Sequence, residues 1–209
     1  METARQPGLQ TRLGVGQIDT RHADLGKSEF TGPGPDLGNE LTAADRHEAI
    51  VETRLLRDES ATQALAAALA AQPALRNAVI ELHGDLGAGK TTFVRHLLRA
   101  LGVTGRIKSP TYAVVEPHEL PGLNIWHFDF YRFNDPREWE DAGFRDLFAS
   151  PGLKLAEWPE KAAGLLPVAD LALTLRVQPD ESRQLTLRAQ TPVGAALLRA
   201  LNDSEESRK

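Results

Sequence analysis

The tightest constraint on this chain is the run Gly84-Asp85-Leu86-Gly87-Ala88-Gly89-Lys90-Thr91-Thr92. Glycine at this density weakens helix and strand interiors alike, because each glycine loses the most conformational freedom on being ordered. The flanks have the opposite character. Before the run, NAVIEL (77–82) has the length of a buried strand and carries β-branched Val79 and Ile80. After it, Phe93, Leu97, Leu98 and Leu101 recur at helical spacing until Gly102 supplies a stop. The order is strand, loop, helix, and within it Gly84, four residues, Gly89, Lys90 and Thr91 reproduce the spacing of a phosphate-binding P-loop.

A chain that wraps a triphosphate turns several backbone N–H groups inward. The curvature takes residues to positive φ or into close approach, and Gly84, Gly87 and Gly89 tolerate both. A helix opening at Lys90 adds unpaired N–H groups and the positive end of its dipole. Lys90 then reaches the outer phosphates, the Thr91 hydroxyl is a ligand for the Mg²⁺ that accompanies a nucleotide, and the Thr92 N–H falls at the inner phosphate.

At 209 residues and 41% hydrophobic content, the chain has room for one domain with a real core and an appendage. A net charge of −5 argues against a generally basic surface for DNA or RNA. With no cysteine there are no disulfides, thiolate metal sites or catalytic thiols. The longest apolar run, Ala64 to Ala71, is too short to span a bilayer, so a soluble, cytoplasmic protein with no membrane partner is expected. Residues 1–48 hold seven glycines, three prolines and one aromatic, Phe30, too little apolar surface to offset the entropy of ordering. They are read as a disordered extension, with a domain over 49–202 and a polar tail over 203–209.

Within the domain, Asp58 or Ser60 can cap a helix that ends before Pro73. Ser109-Pro110 turns the chain into a short strand, YAVVE, and LNIWHFDFYR is the next strand. One helix is predicted over DPREWEDAGFRDLF, with Asp135 as cap and Pro136 in its first turn. GLKLAEW is a strand, ADLALTLRV and RQLTLRAQ form an antiparallel hairpin, and TPVGAALLRAL starts a last helix. Strands alternating with helices predict an α/β fold: a P-loop NTPase-like three-layer sandwich whose mainly parallel sheet is extended by the C-terminal antiparallel hairpin.

Three further residues bear on chemistry. Asp129 ends an apolar segment, NIWHFD, where P-loop proteins place the carboxylate that holds the magnesium's water shell. Thr111, 21 residues after Lys90, lies in a loop that can close its hydroxyl onto the metal and the γ-phosphate. Glu157 ends another strand, where a carboxylate can orient water or bind the metal's shell. Ligands collect at the carboxyl ends of parallel strands, so the loop, Asp129 and Glu157 are expected to converge on one phosphate. His127 and Tyr131 share the face of Asp129 if the strand continues, with His127 as a hydrogen-bond partner rather than a metal ligand. Arg132 is placed to neutralise phosphate charge or, as an arginine at a strand end more often does, to pair with a surface carboxylate, and Trp126, Trp139 and Trp158 are expected in packing rather than as partner anchors.

GDLGAGKTT, KSPTYAVVEP, HFDFYR and EWPE, in this order and at these separations, resemble the bacterial TsaE (YjeE) ATPases of tRNA threonylcarbamoyladenosine biosynthesis. The resemblance runs from about Leu55 to Leu201 and implies a compact P-loop domain that hydrolyses ATP with Mg²⁺. It implies TsaB and TsaD as partners in placing threonylcarbamoyl on adenosine-37 of tRNAs, with tRNA met only through that complex. By position, Gly87, Ala88, Gly89, Lys90, Thr91 and Thr92 would hold the phosphates. Thr111 falls in the family's switch-like loop, Asp129 is its Walker B-like acid, and Glu157 is the acid of its Glu-Trp motif, linked to magnesium and hydrolysis. Thr62 matches a residue near the nucleoside. The first 48 residues have no counterpart.

Rival readings are a GTPase, a small-molecule kinase and a switch that uses nucleotide to set its affinity for a partner with little hydrolysis. No Asn/Thr-Lys-x-Asp element is present to read guanine, and the C-terminal hairpin offers a kinase neither an acceptor pocket nor an arginine-bearing lid.

Overall fold

The computed structural model describes residues 50–206, so the expectation for residues 1–48 and the end of the polar tail lie outside the described residues. The chain runs β1 (Val51–Leu56), α1 (Glu59–Ala70), β2 (Val79–His83), α2 (Lys90–Leu101), β3 (Val115–Leu120), β4 (Leu123–Asp129), α3 (Pro136–Asp141), α4 (Phe144–Ala149), β5 (Leu153–Glu157), β6 (Leu171–Val177), β7 (Arg183–Ala189) and α5 (Pro192–Glu206). Local chemistry sets most of these ends. Asp58, not Ser60, caps α1 by accepting the Ala61 N–H at 2.8 Å. Gly102, at φ 105°, closes α2 in the left-handed conformation that helix ends favour.

The structure departs from the sequence reading at five places. The helix expected after Asp135 is two, because Gly143 turns left-handed at φ 66° and re-aims the chain between α3 and α4. β3 begins at Val115 rather than Tyr112, since Val114 at φ 64° is part of a turn whose N–H returns to Pro110 O. β4 stops at Asp129 because its carboxylate captures the Tyr131 N–H at 2.9 Å, a local turn that competes with further pairing. β1 is additional. Its burial inverts the usual pattern, with Val51 and Leu55 exposed while Arg54 is held by Glu52 at 2.8 Å and by Asn202 at 2.6 Å. α5 continues through Asn202–Glu206, into the stretch read as a tail.

The strands form one sheet in the order β1-β7-β6-β2-β5-β4-β3. Its centre, β6-β2-β5-β4, is parallel, and both margins are antiparallel, so the sheet is mixed about a parallel core. One face carries aliphatic rows such as Ile80–Leu82 and Leu153–Leu155, packed with α1, α2 and α5 side chains into one cluster. The alternate residues face a second, aromatic cluster, where Phe128 stacks on Phe148 at 4.7 Å and Trp139 meets Phe144 edge-on at 5.7 Å. The break at Gly143 is what lets α3 and α4 both deliver aromatics to it. Registry then positions the site: Leu82 pairs with Glu157, and Glu157 with Asp129, so β2, β5 and β4 end side by side. Among the described residues, no helix is long and apolar enough to cross a membrane.

The first turn of α5 packs so closely on the chain before β6 that a Cβ on Gly194 would overlap Asp170 O and come within 2.7 Å of its carbonyl carbon. Gly194→Ala is expected to cost about 1–3 kcal/mol by overpacking. In urea denaturation this reads as a lower midpoint at unchanged slope; an unmoved midpoint would show that α5 can shift at no cost.

Candidate functional site

The glycine loop leaves β2 at Gly84 and delivers the chain to α2. Gly84, Gly87 and Gly89 have φ of 130°, 81° and 109°. At Gly84 a second demand applies, because a Cβ there would overlap Leu175 O of β6, so only glycine allows the loop to lie against the sheet. Lys90, 4% exposed, folds back over the loop, donating to Gly84 O at 2.5 Å and Asp85 O at 2.9 Å. Its ammonium stands 3.7 Å from the centroid of the Trp158 ring, and Trp158 itself is left-handed at φ 57°. Burial pushes the Lys90 pKa down, while the carboxylates of Glu157, Glu160, Asp129 and Asp85 oppose that shift.

Cavities open on both sides of the loop. One, of about 280 Å³, is lined by Lys90, Thr91, Thr111, Asp129, Glu157 and Trp158 among others. The other, of about 250 Å³, is lined by Thr62, Asp58, Glu59, Ala88, Leu175 and Arg183 among others. Gly87, Gly89 and Thr92 border both. All the predicted site residues therefore line one of two adjoining cavities.

Both carboxylates of the first cavity are buried, Asp129 at 3% and Glu157 at 1% exposed, and both are fully engaged. Asp129 Oδ2 accepts from Thr111 Oγ1 at 2.7 Å and from Ser109 Oγ, while Oδ1 accepts the Tyr131 N–H. Glu157 Oε2 accepts from Thr91 Oγ1 at 2.8 Å, and Oε1 from His127 Nε2 at 2.8 Å. His127 is thus a hydrogen-bond partner, as expected, but of Glu157 rather than of a neighbour on its own strand. Arg132 differs too, its guanidinium lying 4.5 Å from the Tyr112 ring centroid instead of on a carboxylate. Trp139 is buried in the aromatic cluster, whereas Trp158 borders the cavity.

Ser109, Arg183 and the Lys90–Trp158 contact are additions to the sequence reading. Ser109 lies in the same Ser-Pro-Thr stretch as Thr111, so its signal was present. Arg183 comes from β7, distant in sequence, and nothing local marks it. Around the first cavity stand the Thr91 hydroxyl and the Asp129 and Glu157 carboxylates, hard oxygen ligands of the kind Mg²⁺ takes. Thr91 spends its proton on Glu157, which leaves its oxygen lone pairs available to a cation. Among the described residues no three His, Asp or Glu side chains cluster as a complete cation cage, so a cation here would complete its shell with water and a bound anion.

Residues 56–185 match a family model described as "Threonylcarbamoyl adenosine biosynthesis protein TsaE". A Haemophilus influenzae protein named "tRNA threonylcarbamoyladenosine biosynthesis protein TsaE" is 43% identical over 125 residues, 60% of this chain and 78% of the relative. A Bacillus subtilis protein of the same name is 36% identical over 111 residues, 53% of this chain and 69% of the relative. The crystal structure of Bacillus subtilis YdiB superposes with a TM-score of 0.63 at 26% identity, over 76% of this chain and 99% of that chain.

The three donors on Asp129 make it a structural anchor as well as a site residue. Asp129→Ala is expected to lower stability by about 1–3 kcal/mol, the range for stranding buried partners of a charged group. Hydrogen exchange at the Tyr131 amide should quicken at the same time, and an amide as protected as in the unaltered protein would contradict that anchoring.

Proposed function

The chain belongs to the TsaE family, and we propose that it is a P-loop, Mg²⁺-dependent ATPase acting with TsaB and TsaD in forming the threonylcarbamoyl group on adenosine-37 of tRNAs. The observation that carries the reading is the placement, side by side at the ends of β2, β5 and β4, of a glycine loop with its lysine and two buried carboxylates. Composition offers no broad basic surface, so tRNA is met through the partners, in the cytoplasm.

In this reading the loop amides from Gly87 to Thr92 receive the phosphates at the start of α2, where free N–H groups and the helix dipole favour an anion. Lys90 exchanges the Gly84 and Asp85 carbonyls for phosphate oxygens; burial already disfavours its ammonium, so a strong anion stabilises it more than two neutral carbonyls do. Thr62 and Arg183 border the nucleoside end. Thr91, Asp129 and Glu157 would hold Mg²⁺, which when bound neutralises phosphate charge and polarises the terminal phosphoryl group. Glu157 orients a water and accepts its proton as the bond between the β- and γ-phosphates breaks, giving ADP, phosphate and a proton. Thr111 and Ser109, both bonded to Asp129, tie the switch-like loop to that site. This link favours, as a second reading, a nucleotide switch in which slow hydrolysis times the affinity for a partner.

Glu157→Ala is expected to lower ATP hydrolysis roughly 10²-fold or more while leaving nucleotide affinity largely intact, the scale of a lost general base. Equal turnover would remove Glu157 from the mechanism; a rate near zero in the unaltered protein that stays there when TsaB and TsaD are added would favour the switch. Lys90→Ala should instead weaken binding of a non-hydrolysable ATP analogue by about 10-fold or more, as for loss of charge-assisted bonds. A titration with undiminished affinity would refute that role.

A further inference from the structure

His127 lies wholly inside the sheet, at 0% exposure, and does not line the cavity. It stands opposite Leu155 in the β4–β5 ladder, one step before the pair Asp129–Glu157. Alternation puts its side chain on the same face as Ile125, whose row belongs to the aliphatic cluster. An apolar residue would continue that row. Instead the ring makes a 2.8 Å bond from Nε2 to Glu157 Oε1, and its Nδ1 is buried with no partner among the described residues. A carboxylate only accepts, so Nε2 carries the hydrogen, and a bare Nδ1 is the state that strands no buried N–H. Leaving a ring nitrogen unpaired costs free energy that a leucine would not incur, so packing does not account for an imidazole here.

The other oxygen of Glu157 is held by Thr91 from α2. The carboxylate is thus spanned between one donor on the sheet and one on the helix, and two fixed points define its plane. Thr91 faces the cavity and has a second task there; His127 has access to Glu157 alone. We propose that His127 is the positioning residue of Glu157, its Nε2–H fixing the carboxylate rotamer so that Oε2 stays on Thr91 and faces the cavity. The proposal rests on the hydrolytic role given to Glu157 above. It assigns to His127 no contact with nucleotide, water or metal.

Side-chain length supplies a test. The amide nitrogen of glutamine can occupy the place of Nε2, whereas that of asparagine falls at the place of Nδ1 and cannot reach Glu157. The full chain carrying His127→Gln, His127→Asn or His127→Leu is compared with Glu157→Ala for ATP turnover and for affinity towards a non-hydrolysable analogue, and the Gln and Asn variants are crystallised. Asn and Leu should lower kcat by about 10- to 100-fold, the range for partners that orient a site's ligands, with analogue affinity held within about threefold. Gln should recover most of the rate and keep Glu157 on Thr91 in the crystal, while in the Asn variant the carboxylate leaves Thr91. Equal rates for Gln and Asn, two side chains of like polarity, would overturn the proposal even if Leu fails to fold. So would an Asn crystal with the Thr91–Glu157 bond intact. If the unaltered protein and Glu157→Ala hydrolyse ATP equally, the function proposed for Glu157 fails, and the crystal pair still decides whether His127 holds it.

Discussion

Three parallel strands, β2, β5 and β4, end together, and the polar groups of the site are placed by where they end. Neighbouring strands lie about 4.8 Å apart, so residues paired at their tips are brought side by side without help from any loop. Glu157 is paired on one flank with Leu82, two residues before the glycine loop, and on the other with Asp129. A slip of β5 by one residue would turn Glu157 away from Thr91 and into the aromatic cluster, because side chains alternate faces. Main-chain bonds at both ends of the strand oppose that slip: Lys154 N to Ala78 O at 3.0 Å, Trp158 N to Leu82 O at 3.3 Å, and Phe130 N to Glu157 O at 3.0 Å. The geometry of the candidate site and sheet registry are therefore one property of this fold.

Burying two carboxylates at such a junction is unfavourable unless each is supplied with donors, since an isolated ion loses several kcal/mol of solvation. Asp129 and Glu157 solve this differently. Asp129 draws on the Tyr131 amide two residues on and on the hydroxyls of one distant loop, Ser109 and Thr111. Glu157 draws on two other elements, α2 through Thr91 and β4 through His127. The first acid thus couples the site to the Ser109–Thr111 loop, and the second couples it to a helix and a neighbouring strand.

Much of this was legible in the sequence because each signal was local. The glycine spacing, the capping aspartates and the strand-ending acids each combine a residue type with a neighbour a few positions away. Even the direction of the acids is written in the rows Leu153, Leu155, Glu157 and Ile125, His127, Asp129, where a core face runs out into polar groups. What escaped was non-local or inverted. β1 escaped because Arg54 pairs with Glu52 and with Asn202 of α5 while Val51 and Leu55 face outward. The split of α3 from α4 escaped because a single glycine in a helical pattern is weak evidence of a break until the aromatic cluster it serves is known. The Glu157–His127 bond joins residues 30 apart on neighbouring strands, and only the registry brings them together.

The two cavities flanking the loop both contain acids, yet they are electrostatically unequal, and the inequality orients what the loop holds. On the side of Thr62 and Arg183, the Asp58 carboxylate is spent on the α1 cap and on Ser60 at 2.6 Å, which holds its pKa below the usual carboxylate range. Glu59 is turned to His96 at 2.9 Å. Those charges are committed to structure, leaving Arg183 and Leu175 to shape that end. On the other side Asp129 and Glu157 receive their bonds from hydroxyls, an amide and an imidazole, and both line the cavity together with Lys90. Under the proposed function, a divalent cation and the most highly charged end of a polyphosphate belong on the side of Asp129 and Glu157. The less charged end is left for the side where the acids are already committed.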